Sequence, residues 1–295
     1  MRARRPLLTV LVAGLTVAGL TVPAAPAPAR RAATAEPRLV DIRAHHRGDV
    51  DRVVFTFRGG IPTDVRAQYV DRLLADASGR PVRIAGRAVL QVRFEQTAWI
   101  GGIPAPSRRA FALPNVMTVV RSGLFEGVTT YGIGLAKRTR VEVLRQPERN
   151  RVVVVVRAAF PTVERKVYFL DEDRFLANTE PFFVSRLRPV RPSAPARGVL
   201  DRLFAGPLDR EKDHGLRLVR SKARDVTGPS ISDRIARVRL LGGCSSGGST
   251  VTISGEIMPA LRQFAAVDWV KIYDPAGDTA DPTGLSDSIP DCLNP

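Results

Sequence analysis

Residues 165–207 read RKVYFLDEDRFLANTEPFFVSRLRPVRPSAPARGVLDRLFAGP, and they decide the fold of the second half of the chain. The run KVYFL is typical of a short strand, and an arginine-rich extended run follows at residues 182–191. The next segment predicts an amphipathic helix, in which Ser193 can cap, Pro195 suits the first turn and Gly206 marks the end. Its apolar residues share one face of that helix: Val199, Leu200, Leu203 and Phe204.

Beyond this segment, strand and helix patterns alternate. Residues 234–241 read RIARVRLL, which indicates a strand, and residues 269–273 predict a closing strand. Between them, a second helix is expected to begin near Ser249 and to be kinked or split by Pro259. Its buried residues follow helical spacing: Ile253, Ile257, Leu261 and Phe264. Two helices packed on one face of a small sheet make a small α+β domain, predicted to span residues 161–295.

The first half, residues 38–160, is dominated by short runs in which apolar and polar residues alternate. Residues 53–57 and 89–94 are of this kind, and residues 152–156 are five consecutive valines, which favour strands over helices. A turn at residues 146–150 joins the last two strands as a hairpin. The spacing of these runs and turns predicts an all-β sandwich or barrel. The expected fold is therefore two domains, one all-β and one α+β.

The second half resembles the GerMN domain of bacterial sporulation and germination proteins. The resemblance rests on VYFLD at residues 167–171, the RPV and helix-ending GP elements that follow, IMPALRQF at 257–264 and DWVKIYD at 268–274. It implies a non-enzymatic module of the cell envelope, and a likeness to ring-building envelope folds implies docking or self-association. GerMN-like domains also occur in exported proteins without sporulation machinery, so no germination role is inferred.

The first half is similar to the AMIN-like domain of exported actinobacterial proteins. The motifs are DIRAHHRGDVDRVVFTFRGG at residues 41–60, VRFEQTAW at 92–99, GLFEGVTTYGIGLAKRTRVEVLRQ at 123–146 and RVVVVVR at 151–157. The resemblance implies a β-sandwich that binds peptidoglycan or localises a partner enzyme.

The amino terminus has the pattern of a secretory signal peptide. Arg2, Arg4 and Arg5 precede an apolar run at residues 7–22, and small residues follow it. A transmembrane anchor is the alternative, but the apolar run is shorter than the roughly 20 residues that a helix needs to cross a bilayer. We therefore expect residues 1–29 to be a signal peptide, residues 30–37 a flexible leader, and the exported chain to have no membrane span.

The net charge of +16 is concentrated in the first half. Residues 38–160 hold 21 basic and 10 acidic side chains, whereas residues 161–295 hold 19 and 18. Such a field attracts polyanions without specifying them. Nucleic acid is the usual partner of a basic domain, but an exported protein meets wall polymers, peptidoglycan carboxylates and anionic lipids, so nucleic acid is not expected. A solvated arginine-rich surface without a partner is the alternative.

The two cysteines, Cys244 and Cys292, fit an oxidising compartment, where an even number most simply means one disulfide. Such a bridge would fix the Pro- and Asp-rich tail to the domain and stabilise the fold by roughly 4 kcal/mol in the chain-entropy model.

Three arginines of the extended run, Arg186, Arg188 and Arg191, are the candidate polyanion-binding residues. Arg186 and Arg188 fall on one face of a strand, where they would hold carboxylate or phosphate bidentately. A solvated strand face that blunts a sheet edge is the alternative.

No convincing catalytic or metal-binding constellation is found. His45 and His46 lie near several aspartates, but adjacent side chains on a strand point to opposite faces and do not readily ligate one ion. The glycine-rich loop at residues 242–248 lacks the Gly-Lys-Ser/Thr ending of a phosphate-binding loop. The sequence therefore predicts no enzyme, no metal and no cofactor.

The leading hypothesis is an exported, non-enzymatic protein of the cell envelope, extracellular or associated with the wall. Its basic β domain would bind peptidoglycan or an anionic wall polymer, and its GerMN-like domain would mediate protein interaction or assembly. The alternative is a cell-wall hydrolase, or an activator of one, with an unrecognised site. A third possibility is a sensory domain that binds a small ligand between the two halves.

Overall fold

The structure is a computed structural model that describes residues 36–98 and 100–294. The described residues belong to one compact unit of the chain. The predicted signal peptide and nearly all of the predicted leader lie outside the described residues. No helix in the described part is long and apolar enough to cross a membrane.

Nine strands make up the first half of this unit, all paired antiparallel. They are β1 (Arg38–Arg47), β2 (Val50–Arg58), β3 (Val65–Val70), β4 (Ala88–Phe94), β5 (Arg108–Ala110), β6 (Val116–Phe125), β7 (Val128–Leu135), β8 (Val141–Gln146) and β9 (Arg151–Arg157). A four-stranded sheet has the order β1-β2-β9-β8, and a five-stranded sheet has the order β3-β4-β7-β6-β5. The predicted hairpin joins β8 and β9 through a short 3₁₀ turn.

One hydrophobic core lies between these two sheets, which is the arrangement of a β-sandwich. Phe55 of the four-stranded sheet packs against Phe94 and Tyr131 of the five-stranded sheet, with ring centroids 4.9 Å and 5.9 Å apart. Within the valine run, Val152, Val154 and Val156 point into this core, because successive residues of a strand alternate between its faces. The alternation in the sequence thus predicted the β-rich first half correctly.

The second half mixes helices with short sheets. Its elements are β10 (Val163–Asp171), α1 (Glu172–Leu176), β11 (Phe183–Val190), α2 (Pro195–Ala205), α3 (Asp209–Lys212), β12 (Leu216–Arg217), β13 (Asp225–Ser232), β14 (Ile235–Leu241), α4 (Ser254–Arg262) and β15 (Trp269–Tyr273). One sheet has the order β11-β10-β12 and another has the order β13-β14-β15, with β14 and β15 parallel. An α+β region therefore follows the β-rich part, in two small sheets rather than one.

The helix α2 agrees with its sequence pattern except at its cap. Pro195 occupies the first turn, and the helix ends at Gly206, whose φ of 92° favours glycine. The predicted apolar face is buried. The expected cap was wrong: the capping position belongs to Ala194, which has no side-chain oxygen, so Ser193 does not cap.

The helix α4 begins later than its pattern predicts and is not split. It starts at Ser254, because the residues from Ser249 onward form turns, in one of which the Val251 amide donates to the Ser249 hydroxyl at 3.2 Å. Pro259 lies inside the helix, where it has no amide hydrogen to donate to the Gly255 carbonyl one turn earlier. The short helix tolerates the loss of that single hydrogen bond.

The two halves are fixed to each other by polar contacts, of which those of Arg202 are the most buried. Arg202 of α2 is 2 % exposed and donates to the carbonyls of Phe111 at 3.1 Å and Pro114 at 3.2 Å, just before β6. Arg109 of β5 donates to Asp209 of α3 at 2.6 Å. Met117 of β6 joins the hydrophobic core of the second half. The division into domains at residues 160 and 161 stays a prediction, since the two halves share this packed junction.

The predicted disulfide between Cys244 and Cys292 is present in the structure. It fixes the tail beside the glycine-rich loop, where the Ser246 amide also donates to the Cys292 carbonyl at 2.8 Å. Leu293, the next residue, is fully buried in the core of the second half.

Candidate functional site

The outer face of the four-stranded sheet gathers basic side chains from three strands. We call this surface the basic face. The strand register identifies its basic residues as Arg43, His45 and Arg47 of β1, Arg52 of β2, and Arg151 and Arg157 of β9. They share one side of the sheet because residues two apart on a strand point to the same side. Paired residues on neighbouring strands also point to the same side.

The centre of the basic face is apolar. Val54, Val153 and Leu144 lie side by side across β2, β9 and β8, and Val155 lies next to them. Val153 is only 4 % exposed, whereas its three neighbours are half-buried. The face is therefore an apolar strip with arginines along its margins.

Two carboxylates on the same side of the sheet offset part of this charge: Asp41 of β1 and the exposed Glu142 of β8, which pairs with Val155. Asp41 accepts from Arg43 at 2.7 Å and from Arg109 at 3.1 Å. Partial burial opposes ionisation of Asp41, but hydrogen bonds from Arg43 and from the Ile42 amide outweigh it and lower the pKa of this carboxyl. The closest carboxylate contact of Arg157 is Asp49, at 3.9 Å, and both are well exposed. Exposed pairs of this kind contribute little to stability, so the arginines on the margins stay available to a ligand.

One arginine of the basic face has an unusual environment. The Nε atom of Arg52 is shut off from solvent and has no hydrogen-bond partner among the described residues. Arg47 and Arg151, at opposite margins, form no ion pair within the part of the chain that the structure describes.

The two adjacent histidines face opposite sides of β1, as strand alternation predicts. His45 lies on the basic face, whereas the Nδ1 atom of His46 lies 2.7 Å from a carboxylate oxygen of the buried Asp51. The other oxygen of Asp51 accepts from the amides of Asn115 at 2.7 Å and Val116 at 2.8 Å. Asp51 therefore has a structural role, holding the segment whose carbonyls bind Arg202.

The predicted polyanion-binding row of Arg186, Arg188 and Arg191 needs a correction at its centre. Arg188 is 3 % exposed, and its guanidinium holds both carboxylate oxygens of Glu211 of α3, one of them at 2.9 Å. It also lies over the Phe169 ring, 5.6 Å from the centroid. Arg188 is a buried structural arginine, and it offers no exposed group to a polymer.

The two remaining arginines of this row have different surroundings. Arg186 is half-buried and donates to the Ser185 carbonyl at 2.8 Å. Arg191 instead lines a small cavity of about 80 Å³ at the junction of the halves, with Arg87 and Asp201. Anion binding by Arg186 and Arg191 stays a prediction.

Sequence reasoning missed the basic face as a unit. Its arginines come from segments more than a hundred residues apart, and only the register of β1, β2 and β9 places them together. The alternation RVVVVVR, with an arginine at each end of β9 on the same side as Val153, was the available signal.

Comparison with known proteins supports half of the proposed family relationships. Residues 37–158 match the family model described as the AMIN-like domain. This confirms the resemblance of the first half, and the match ends with β9, which contributes to the basic face. Neither a curated protein nor a solved structure matches the chain. The GerMN-like resemblance of the second half stays a prediction.

Proposed function

We propose that this protein is an exported, non-enzymatic component of the cell envelope that binds peptidoglycan or an anionic wall polymer through the basic face. The observation that carries the proposal is the position of that face on the AMIN-like domain, a domain type associated with the cell envelope and peptidoglycan. The disulfide supports export, because disulfides persist in oxidising compartments.

The chemistry of the basic face suits a wall polymer. Arginine binds carboxylate and phosphate bidentately, and several arginines spaced along a sheet suit a ligand with repeated charges. The central strip of Val54, Val153 and Leu144 would take the apolar faces of sugar rings or peptide methyl groups. Binding of this kind is expected to weaken as salt rises.

The second half, residues 161–295, is proposed to mediate protein interaction or self-association as a GerMN-like module. The supporting observation is β11, which lies at the edge of its sheet and exposes Leu187. An exposed apolar residue on an edge strand is a suitable contact for a partner protein. Sporulation or germination is not part of the proposal.

Co-sedimentation with purified cell walls tests the basic face. The variant Arg47→Glu/Arg151→Glu/Arg157→Glu reverses three exposed charges at its margins, and we expect at least a tenfold loss of affinity, about 1.4 kcal/mol. A matched control, Arg72→Glu/Arg80→Glu/Arg93→Glu, makes the same charge change on exposed residues elsewhere in the same half. An equal loss in both variants would mean that the net charge, rather than the basic face, binds the wall.

A turbidity assay separates the proposal from the enzymatic alternative. A hydrolase clears a peptidoglycan suspension alone, and an activator clears it only together with its amidase. The proposal expects neither, so clearing in either assay would contradict it.

A further inference from the structure

A second basic site lies at the junction of the two halves, away from the basic face. It is a pocket of about 240 Å³. Arg83 and Arg108 line it from the AMIN-like half, and Phe204, Lys212, Arg217 and Leu218 line it from the second half. Within the part of the chain that the structure describes, no acidic residue lines this pocket.

Two of the four cations in this pocket already have carboxylate partners. Lys212 lies 3.0 Å from Asp209, and Arg217 lies 3.2 Å from Glu172. Within residues 36–98 and 100–294, no such ion pair involves Arg83 or Arg108. The AMIN-like side of the pocket therefore carries two positive charges without a direct counter-charge.

The environment of these two arginines is costly for a cation. Burial lowers the pKa of the Arg83 guanidinium, and the more distant Asp225 and Glu256 only partly oppose this. Burial, followed by the charge of Arg83, lowers the pKa of Arg108 to about 10. An unpaired cation in a partly buried site is unfavourable unless an anion or a hydrogen-bond acceptor accompanies it.

Hydrogen bonding points the same way. One terminal nitrogen of Arg108 donates to the main-chain carbonyl of Arg83, and this contact holds the two residues together. The Nη2 atom of Arg83 is shut off from solvent and has no hydrogen-bond partner in the described part of the protein. Its guanidinium carbon lies 5.1 Å from the centre of the Phe204 ring, so the group is held over an aromatic surface.

The volume and the lining of the pocket limit the size and chemistry of the ligand that it can bind. Its volume is below the roughly 300–1,000 Å³ of sites that hold drug-sized molecules. Phe204 and Leu218 make part of the lining apolar. A single charged group with a small apolar substituent fits such a site, whereas a polymer segment does not.

We propose that this junction pocket binds one small oxyanion, a carboxylate or a phosphate, between Arg83 and Arg108, with its apolar substituent against Phe204 and Leu218. The ligand contacts both halves at once and so stabilises their junction. This site goes beyond the proposed wall binding, because it uses none of the residues of the basic face.

Calorimetric titration at constant ionic strength tests the proposal with three probes. They are inorganic phosphate, acetyl-alanyl-alanine with a free carboxylate, and the same peptide as its amide. We expect saturable binding of phosphate, of the free peptide, or of both, and no binding of the amide. The charged probe that binds identifies the chemical source of the anion.

Substitutions then locate the binding. Arg83→Met and Arg108→Met keep an apolar stem and should each weaken binding at least tenfold, whereas Arg83→Lys, which keeps the charge, should weaken it less. Arg80→Met is the matched control, on an exposed arginine of the same loop, and should leave binding unchanged.

Three outcomes overturn the proposal: no saturable binding of either charged probe, equal binding of the amide, or affinity unchanged in Arg83→Met. Should Arg83→Met and Arg108→Met fail to fold, the comparison of free peptide with amide and the Arg83→Lys titration still decide. Wall binding through the basic face is measured separately by co-sedimentation. Failure of oxyanion binding in the pocket and failure of wall binding are therefore distinguishable.

Discussion

Replacement of Arg202 by methionine should loosen the junction between the two halves. The Arg202 side chain is 2 % exposed, and burial lowers its pKa to about 9. It donates to four main-chain carbonyls: Phe111 at 3.1 Å, Leu113, Pro114 at 3.2 Å and Val116 at 3.4 Å. Methionine keeps an apolar stem but ends short of the guanidinium position and donates nothing.

The expected loss follows from these contacts. Four buried or partly buried carbonyls without a donor cost about 1 kcal/mol each, at the low end of the usual range. Removal of a charge that is expensive to bury offsets part of this. The net loss in the free energy of unfolding should be about 3 kcal/mol, near the range for breaking a buried charged contact.

Urea unfolding followed by circular dichroism measures this loss. At a slope of about 3 kcal/mol per molar urea, the midpoint should fall by about 1 M. Arg220→Met is the matched control, on an exposed arginine of the same half, and should stay within about 0.5 kcal/mol of the wild type. A loss below about 1 kcal/mol for Arg202→Met would refute the view that this side chain fixes the junction.

Three further predictions concern stability. The double variant Cys244→Ser/Cys292→Ser should lose about 2–4 kcal/mol in urea unfolding, and stability equal to the wild type would show that the bridge does not form or does not stabilise. Burial raises the pKa of Glu256 to about 8, above its ordinary 4.5, so the folded state keeps a proton that the unfolded state loses between those values. The free energy of unfolding should therefore fall as pH rises from about 4.5 to 8, by at most about 1.4 kcal/mol per pH unit. Glu256→Gln should remove this pH dependence. The same dependence in urea unfolding of wild type and variant would contradict the raised pKa of Glu256. Asp51→Asn removes the charge of a carboxylate that accepts hydrogen bonds from two backbone amides, and it should reduce the free energy of unfolding by about 1–3 kcal/mol. The melting temperature should fall accordingly, and an unchanged melting temperature would count against the structural role of Asp51.

Much of the fold could be predicted because it depends on local patterns. The alternation that built β2, β4 and β9, and the apolar face of α2, depend on neighbours along the chain. The disulfide followed from an even number of cysteines in a chain that is expected to be exported. The start of α4 was missed because competing turns, formed by serine and threonine hydroxyls, outweighed helical spacing.

The sites were harder to predict because they depend on contacts between distant segments. Arg188 was expected to bind a polyanion on an exposed strand face. Nothing local in the sequence indicated that it would be buried in an ion pair with Glu211, 23 residues away. The Arg83 and Arg108 pocket needs the packing of both halves, which no periodicity describes. Composition placed the positive charge in the first half, but only strand register showed which arginines share a face.

The salt dependence of wall binding tests the central claim most directly. The fraction of protein that pellets with purified walls should be measured against sodium chloride, for the wild type and for Arg47→Glu/Arg151→Glu/Arg157→Glu. The account predicts strong pelleting at low salt that falls steeply as the screening length drops from about 30 Å at 0.01 M to about 3 Å at 1 M, with little pelleting of the variant at any salt. Pelleting of wild type and variant that is equal and independent of salt would contradict wall binding through the basic face.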